Sequence, residues 1–133
     1  MTDHPVAPSP AQLALDVHRV ADRLRSLSAA RLAAPAPPYP SLAAAGRQAA
    51  QALADAAQGY AEAGTAQPPR WRTIPALSDF AVGDMVAVTG RDLIDAAAAA
   101  SFDQQVWTRS GTRTAVAVLA EVAALLADVR RLA

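Results

Sequence analysis

The chain has 133 residues, twelve basic against twelve acidic side chains, and no cysteine. That length buries roughly two-thirds of the unfolded surface, so folding needs no disulfide or metal; the missing thiols also remove zinc-thiolate and cysteine-nucleophile chemistry. Balanced charge supplies neither nucleic acid nor an anionic membrane with a clustered basic surface, which leaves a protein partner, a second copy of the chain or a small molecule.

Alanine accounts for 36 residues and every basic residue is arginine. Alanine has the highest helix propensity and is depleted in strands, so the composition alone predicts an all-α fold with a thin core. Residues 1–9 hold prolines and Asp3 but no basic segment leading into an apolar one, and they read as a disordered tail rather than a signal peptide. Residues 10–133 read as a single helical-bundle domain. No stretch reaches the roughly 18 apolar residues of a membrane span, the longest being Thr114 to Ala127 with Glu121 inside it. The default location is the cytoplasm.

The first helix is predicted to begin at Ser9, since Ser9-Pro10-Ala11-Gln12 combines a capping serine, a proline at the first position and a glutamine at the third. Leu13, Val17, Val20, Leu24 and Leu27 then repeat at steps of four and three, one apolar seam along a helix. Four prolines between Ala33 and Pro40 form a stiff connector. A second helix is predicted from Ser41 to about Ala63, its seam made of Leu42, Gly46, Ala49, Leu53, Ala56 and Tyr60, and Gly64 ends it. Such small residues allow helix axes to approach closely.

Thr65 to Leu77, with Pro68, Pro69 and Pro75, is the next connector. Ser78 is the expected cap of a third helix through about Ala100, striped by Val82, Val86, Thr89, Leu93 and Ala96. Gly83 and Gly90, two turns apart on one face, mark a close crossing or a weak helix. After Ser101 to Gly111 a fourth helix runs to the end, with Val118, Val122, Leu125, Val129 and Leu132 as its seam and Leu119 and Leu126 widening it. Four such segments predict a four-helix up-down bundle with Pro-rich connectors. Connectors this long suit straps with a short helical turn near Pro75 to Asp79, or a bundle completed by a second chain.

Chemistry is sparse. His18, Asp22 and Ser26 follow one another at helical spacing, but nothing supplies a nucleophile elbow or an oxyanion hole, so a surface pair is the expectation. Two glutamates, Glu62 and Glu121, without a Glu-x-x-His fall short of a di-metal centre. No cofactor and no metal site are expected. Asp84, Arg91 and Asp95 read as a solvated face of the third helix, and the glycines form no phosphate-binding pattern.

The distinctive polar features are two arginine–tryptophan clusters: Arg70-Trp71-Arg72, and Trp107 with Arg109 and Arg113. Tryptophan and arginine are enriched at binding hot spots, because a desolvated ring and a planar cation combine area with direction. Consecutive loops of an up-down bundle lie at opposite ends, so one joint site is not expected in a monomer. On the fourth helix Ala117, Ala120, Ala124 and Ala127 lie opposite the seam, either an interface or an alanine-filled solvent face. The resulting expectation is a non-enzymatic protein acting through protein–protein association, as a homodimer or a subunit of a hetero-complex. The alternative is a small-molecule binder with a Trp-lined pocket.

Overall fold

A computed structural model describes residues 7–101 and 103–133. It is mostly helical. Among the described residues the order is α1 (Pro10–Arg25), the short α2 (Ala29–Ala33), α3 (Leu42–Ala61), a 3-10 turn at Asp79–Ala81, α4 (Val82–Ala98), strands β1 (Gln105–Thr108) and β2 (Gly111–Thr114), and α5 (Ala115–Leu132). Most of the expected tail lies outside the described residues; within them Ala7 packs against the core.

Local chemistry sets most helix starts. The hydroxyls of Ser9, Ser28, Ser41 and Thr114 accept hydrogen bonds from the backbone N–H of Gln12, Arg31, Ala44 and Ala117, satisfying donors that the first turn leaves free. The expected reciprocal bond of the first cap is not made: Gln12 Nε2 donates to Asp16 at 3.2 Å. Ser78 does not cap α4, because the 3-10 turn intervenes and its hydroxyl makes no capping bond.

The expected alternation of helix directions is replaced by another arrangement. Gly46 near the start of α3 faces Val82 at the start of α4, and farther along, Ala54, Ala57 and Ala61 line the same groove as Thr89, Asp92 and Ala96. The two helices therefore run in the same direction. Gly83 abuts Ala21 and Arg25 while Gly90 abuts Val17, so α1 runs antiparallel to α4. Tyr60 Oη donates to the carbonyl of Ala115 at 2.6 Å, and Arg23 donates to the carbonyl of Ala133 at 2.7 Å, which sets α5 antiparallel to α3 and parallel to α1. The directions are up, down, down, up. Both glycines of α4 mark the close crossing, since a Cβ at either would overlap α1.

The core is a continuous cluster whose largest fully buried side chains, among the described residues, include Leu13, Leu24, Leu32, Leu53, Leu93 and Leu126. Ala43, Ala45, Ala49 and Ala50 of α3 are also buried, and their small volume lets α4 pack closely along this helix, while α1 lies against α4 and α5.

The segment between Ser101 and Gly111, read as an irregular connector, contains the second departure. Gln105 pairs with Thr114 and Thr108 with Gly111 in an antiparallel hairpin. The turn Arg109-Ser110 is closed by the Thr108 hydroxyl, which accepts from the Ser110 N–H at 3.2 Å and donates to the Gly111 carbonyl at 2.8 Å. Gly111, at φ 114°, occupies backbone space that other residues rarely enter. The last helix consequently starts at Ala115, where the Ala115 N–H donates to the carbonyl of Gln104 at 2.7 Å.

Candidate functional site: the strap over α3 and its flanking groove

Because α3 and α4 are parallel, the connector must return along the full length of α3. Three α3 side chains hold it. Gln58 Nε2 donates to the Arg70 carbonyl at 2.6 Å and Gln58 Oε1 accepts from the Arg72 N–H at 3.3 Å. One step along, Gln51 Nε2 donates to the Arg72 carbonyl at 2.9 Å while Oε1 accepts from the Ile74 N–H at 3.0 Å. Arg47 then donates to the Leu77 carbonyl at 2.9 Å and to Asp79 at 2.6 Å. Each glutamine amide offers one donor and one acceptor, as a neighbouring strand would, so the strap is paired along one edge by side chains alone.

The strap's return also unites the two arginine–tryptophan clusters, which were expected at opposite ends. The start of the strap and the β-hairpin both lie at the end of the bundle where α3 and α4 finish, and there the Arg109 guanidinium carbon sits 5.4 Å from the centre of the Trp71 ring, within cation–π range. Arg109 also donates to both carboxylate oxygens of Asp55, at 2.7 and 3.0 Å. That hydrogen bonding raises the guanidinium pKa further above its ordinary value, against a small opposing effect of burial. Arg113 forms an ion pair with Glu121. The hairpin thus straddles the α3–α5 groove with one arginine fixed to each helix, and Trp107 Nε1 donates to the Thr65 hydroxyl at 3.2 Å. Gly59 lets the Trp107 backbone rest on α3, because a Cβ there would collide with the Trp107 carbonyl.

Arg70 and Arg72 are exposed, and among the described residues their side chains enter no ion pair. Under the hairpin, Trp107, Asp55, Arg109, Val118 and Leu125 surround a half-open cleft of about 230 Å³. On the fourth-helix alanine face, Ala117 and Ala120 are half-buried while Ala124 and Ala127 are exposed, and the first three of these border a shallow depression with Val116.

The side of the strap facing α4 was not singled out from the sequence. Ile74, Pro75 and Leu77 form one wall of a groove of about 380 Å³ whose other wall is Met85, Val88 and Thr89. It continues into a second depression of about 560 Å³, bordered by Arg72, Thr73 and the acidic Glu62, Asp92 and Asp95. Leu77 is 49% exposed, Phe80 65% and Val88 63%, three large apolar side chains left to solvent within twelve residues. The available sequence signal was Val88 lying off the stripe of the third helix, one position before Thr89.

Elsewhere the surface is quiet. His18 Nε2 lies 3.0 Å from Asp22 on an exposed face, and the Ser26 hydroxyl donates to the Arg23 carbonyl at 2.7 Å instead of facing the imidazole. Asp84 takes Arg25 at 2.8 Å, which raises the pKa of that guanidinium. Among the described residues no three His, Asp or Glu side chains are grouped to hold a metal ion, and no helix is long and apolar enough to cross a membrane. In comparison with known proteins, the chain matches no family model, no curated protein and no solved structure.

Proposed function

We propose that this protein is a non-enzymatic association module whose partner, a second copy or another protein, docks on the groove between the strap and α4. The observation that carries this reading is the exposure of Leu77 and Val88 on the two walls of that groove, with exposed Phe80 next to its lining residue Ala81 in the chain. Monomeric proteins keep such side chains dispersed, and a contiguous apolar patch rimmed by polar groups is the usual character of an interaction surface. The two clusters of arginine and tryptophan support it: Trp71, Arg109 and Asp55 brace the strap and hairpin, and exposed Arg72 borders the docking face, with Arg70 exposed two residues before it. The alanines Ala117, Ala120 and Ala124 border a second depression, with Ala127 exposed one turn farther along the helix.

The small-molecule alternative rests on the cleft bordered by Trp107. At about 230 Å³ it is smaller than the roughly 300–1,000 Å³ of ordinary ligand pockets, and two of its polar groups, Asp55 and Arg109, are already bonded to each other.

Native mass spectrometry of protein purified from its own host tests the reading, with wild type compared to Val88→Asp. The wild type is expected as a multiple of 13.7 kDa or in complex with another protein. Val88→Asp is expected as a monomer with unchanged helicity, since an exposed substitution alters stability by about 0.5 kcal/mol or less. Equal assembly of the two proteins refutes the groove as the docking face.

A further inference from the structure

The four bonds that Gln51 and Gln58 make to the strap all reach even-numbered residues: the Arg70 carbonyl, both main-chain groups of Arg72 and the Ile74 N–H. In an extended chain the N–H and C=O of one residue point to one edge and those of its neighbours to the other. The main-chain groups of Trp71 and Thr73 therefore point away from α3. Among the described residues nothing pairs with them, and Thr73 is exposed. This outward edge is short, because Pro69 and Pro75 stand at the next positions on it and neither has an N–H to give. Prolines so placed block open-ended strand pairing while leaving a defined two-residue ladder.

We propose that this edge, Trp71 and Thr73, accepts an extended segment of a partner protein as an added strand, one that carries apolar followed by basic side chains on the face toward α4. The proposal rests on the docking reading above and specifies its partner. The strap has already surrendered its conformational freedom to the glutamines, so the added strand meets a preformed template, and main-chain bonding supplies affinity independent of side chains. Selectivity comes from the flanking groove. Toward its Leu77 end it presents Val88 and Met85, and toward its Thr73 end the carboxylates of Asp92, Asp95 and Glu62 against, among the described residues that line it, the cation of Arg72. Alternate side chains of an added strand project over that groove, apolar ones over Val88 and basic ones over the carboxylates.

The test uses the full chain and a labelled synthetic peptide of about eight residues, in which threonines alternate with two valines and then two lysines. Fluorescence anisotropy is expected to show saturable binding. N-methylation of the peptide's alternate amides, which leaves the protein untouched, is expected to weaken binding at least about tenfold. Thr73→Pro, which removes the outward N–H and none of the glutamine bonds, is expected to do the same, while Thr73→Ala binds within about twofold of wild type. Exchanging both lysines for glutamates is expected to cost about tenfold or more at low salt. No binding of the unmodified peptide up to about 1 mM, or equal binding of its N-methylated form, overturns the proposal. Should Val88→Asp dissolve the native assembly while Thr73→Pro leaves it intact, the groove stands as the docking face and strand addition falls; should neither variant change assembly, both fall.

Discussion

Substituting Gln51 with alanine removes its two bonds to the strap, one to the Arg72 carbonyl and one from the Ile74 N–H, both near 3 Å, along with a bond to Asp55 within α3. A typical net contribution is about 1 kcal/mol per hydrogen bond, and these groups lie near enough to water for partial compensation, so the strap loses about 1–2 kcal/mol of local stability. Losing 1.4 kcal/mol makes strap opening about tenfold more frequent. Amide hydrogen exchange followed by NMR reads this directly. In the wild type the amides of Arg72 and Ile74 are expected to exchange slowly and those of Trp71 and Thr73 quickly, a period-two pattern along the strap. Gln51→Ala is expected to speed exchange at Ile74 about tenfold, with Arg72 affected less because Gln58 still holds its N–H. Amides in the middle of α3 and α4 keep their wild-type protection, since the buried core beneath them is intact. Equal protection of Thr73 and Ile74 in the wild type, or an unchanged Ile74 in the variant, refutes the pairing of the strap by glutamine side chains.

Three further outcomes follow from other contacts. Gly59→Ala places a methyl group against the Trp107 carbonyl; overpacking of about 1–3 kcal/mol exceeds the roughly 1 kcal/mol gained in helix propensity, so the melting temperature falls, and a rise would show that the hairpin does not rest there. Arg109→Lys gives up the two-oxygen contact with Asp55 and the stacking on Trp71, which shifts and broadens Trp71 fluorescence with little loss of helicity; an unaltered spectrum argues against the stack. Burial pushes the Tyr60 hydroxyl up to about 12 from its usual 10. The folded state then holds the proton more tightly than the unfolded state, so this contribution to stability is complete below pH 10 and is lost as the pH rises from 10 through 12. Denaturant titrations across that window are expected to show the decline in wild type and a smaller one in Tyr60→Phe; parallel declines would mean that Tyr60 is not the group responsible.

Much of the helical structure was legible as sequence because it is governed by neighbours a few residues apart. Ser9 and Ser41 each reach an N–H three residues onward, and the seam Leu13, Val17, Val20, Leu24 is the buried face of α1 because a helix repeats every 3.6 residues. The hairpin was not legible by the same means. Its strands have four residues each, and alternation over so few positions is weak beside the helical bias of the surrounding alanines. Val106-Trp107-Thr108 followed by Arg-Ser-Gly was its one local signal.

Helix order and the joining of Trp71 with Arg109 belong to the tertiary structure. The contacts that decide them link Gln58 to Arg70, Arg47 to Leu77 and Asp55 to Arg109, pairs separated by 12, 30 and 54 residues. A glutamine on a helix surface carries the same local signal whether it meets water or a returning strap, so nothing near Gln51 and Gln58 in the sequence marks them as partners of the strap. By itself the sequence determined where α1 and α3 begin, which faces are apolar and that no cysteine chemistry exists, all properties of composition and short spacing. Only packing decided that α3 and α4 run in parallel, because their close approach at Gly46 and the pairing of the strap satisfy apolar surface and backbone groups that no single segment can satisfy alone.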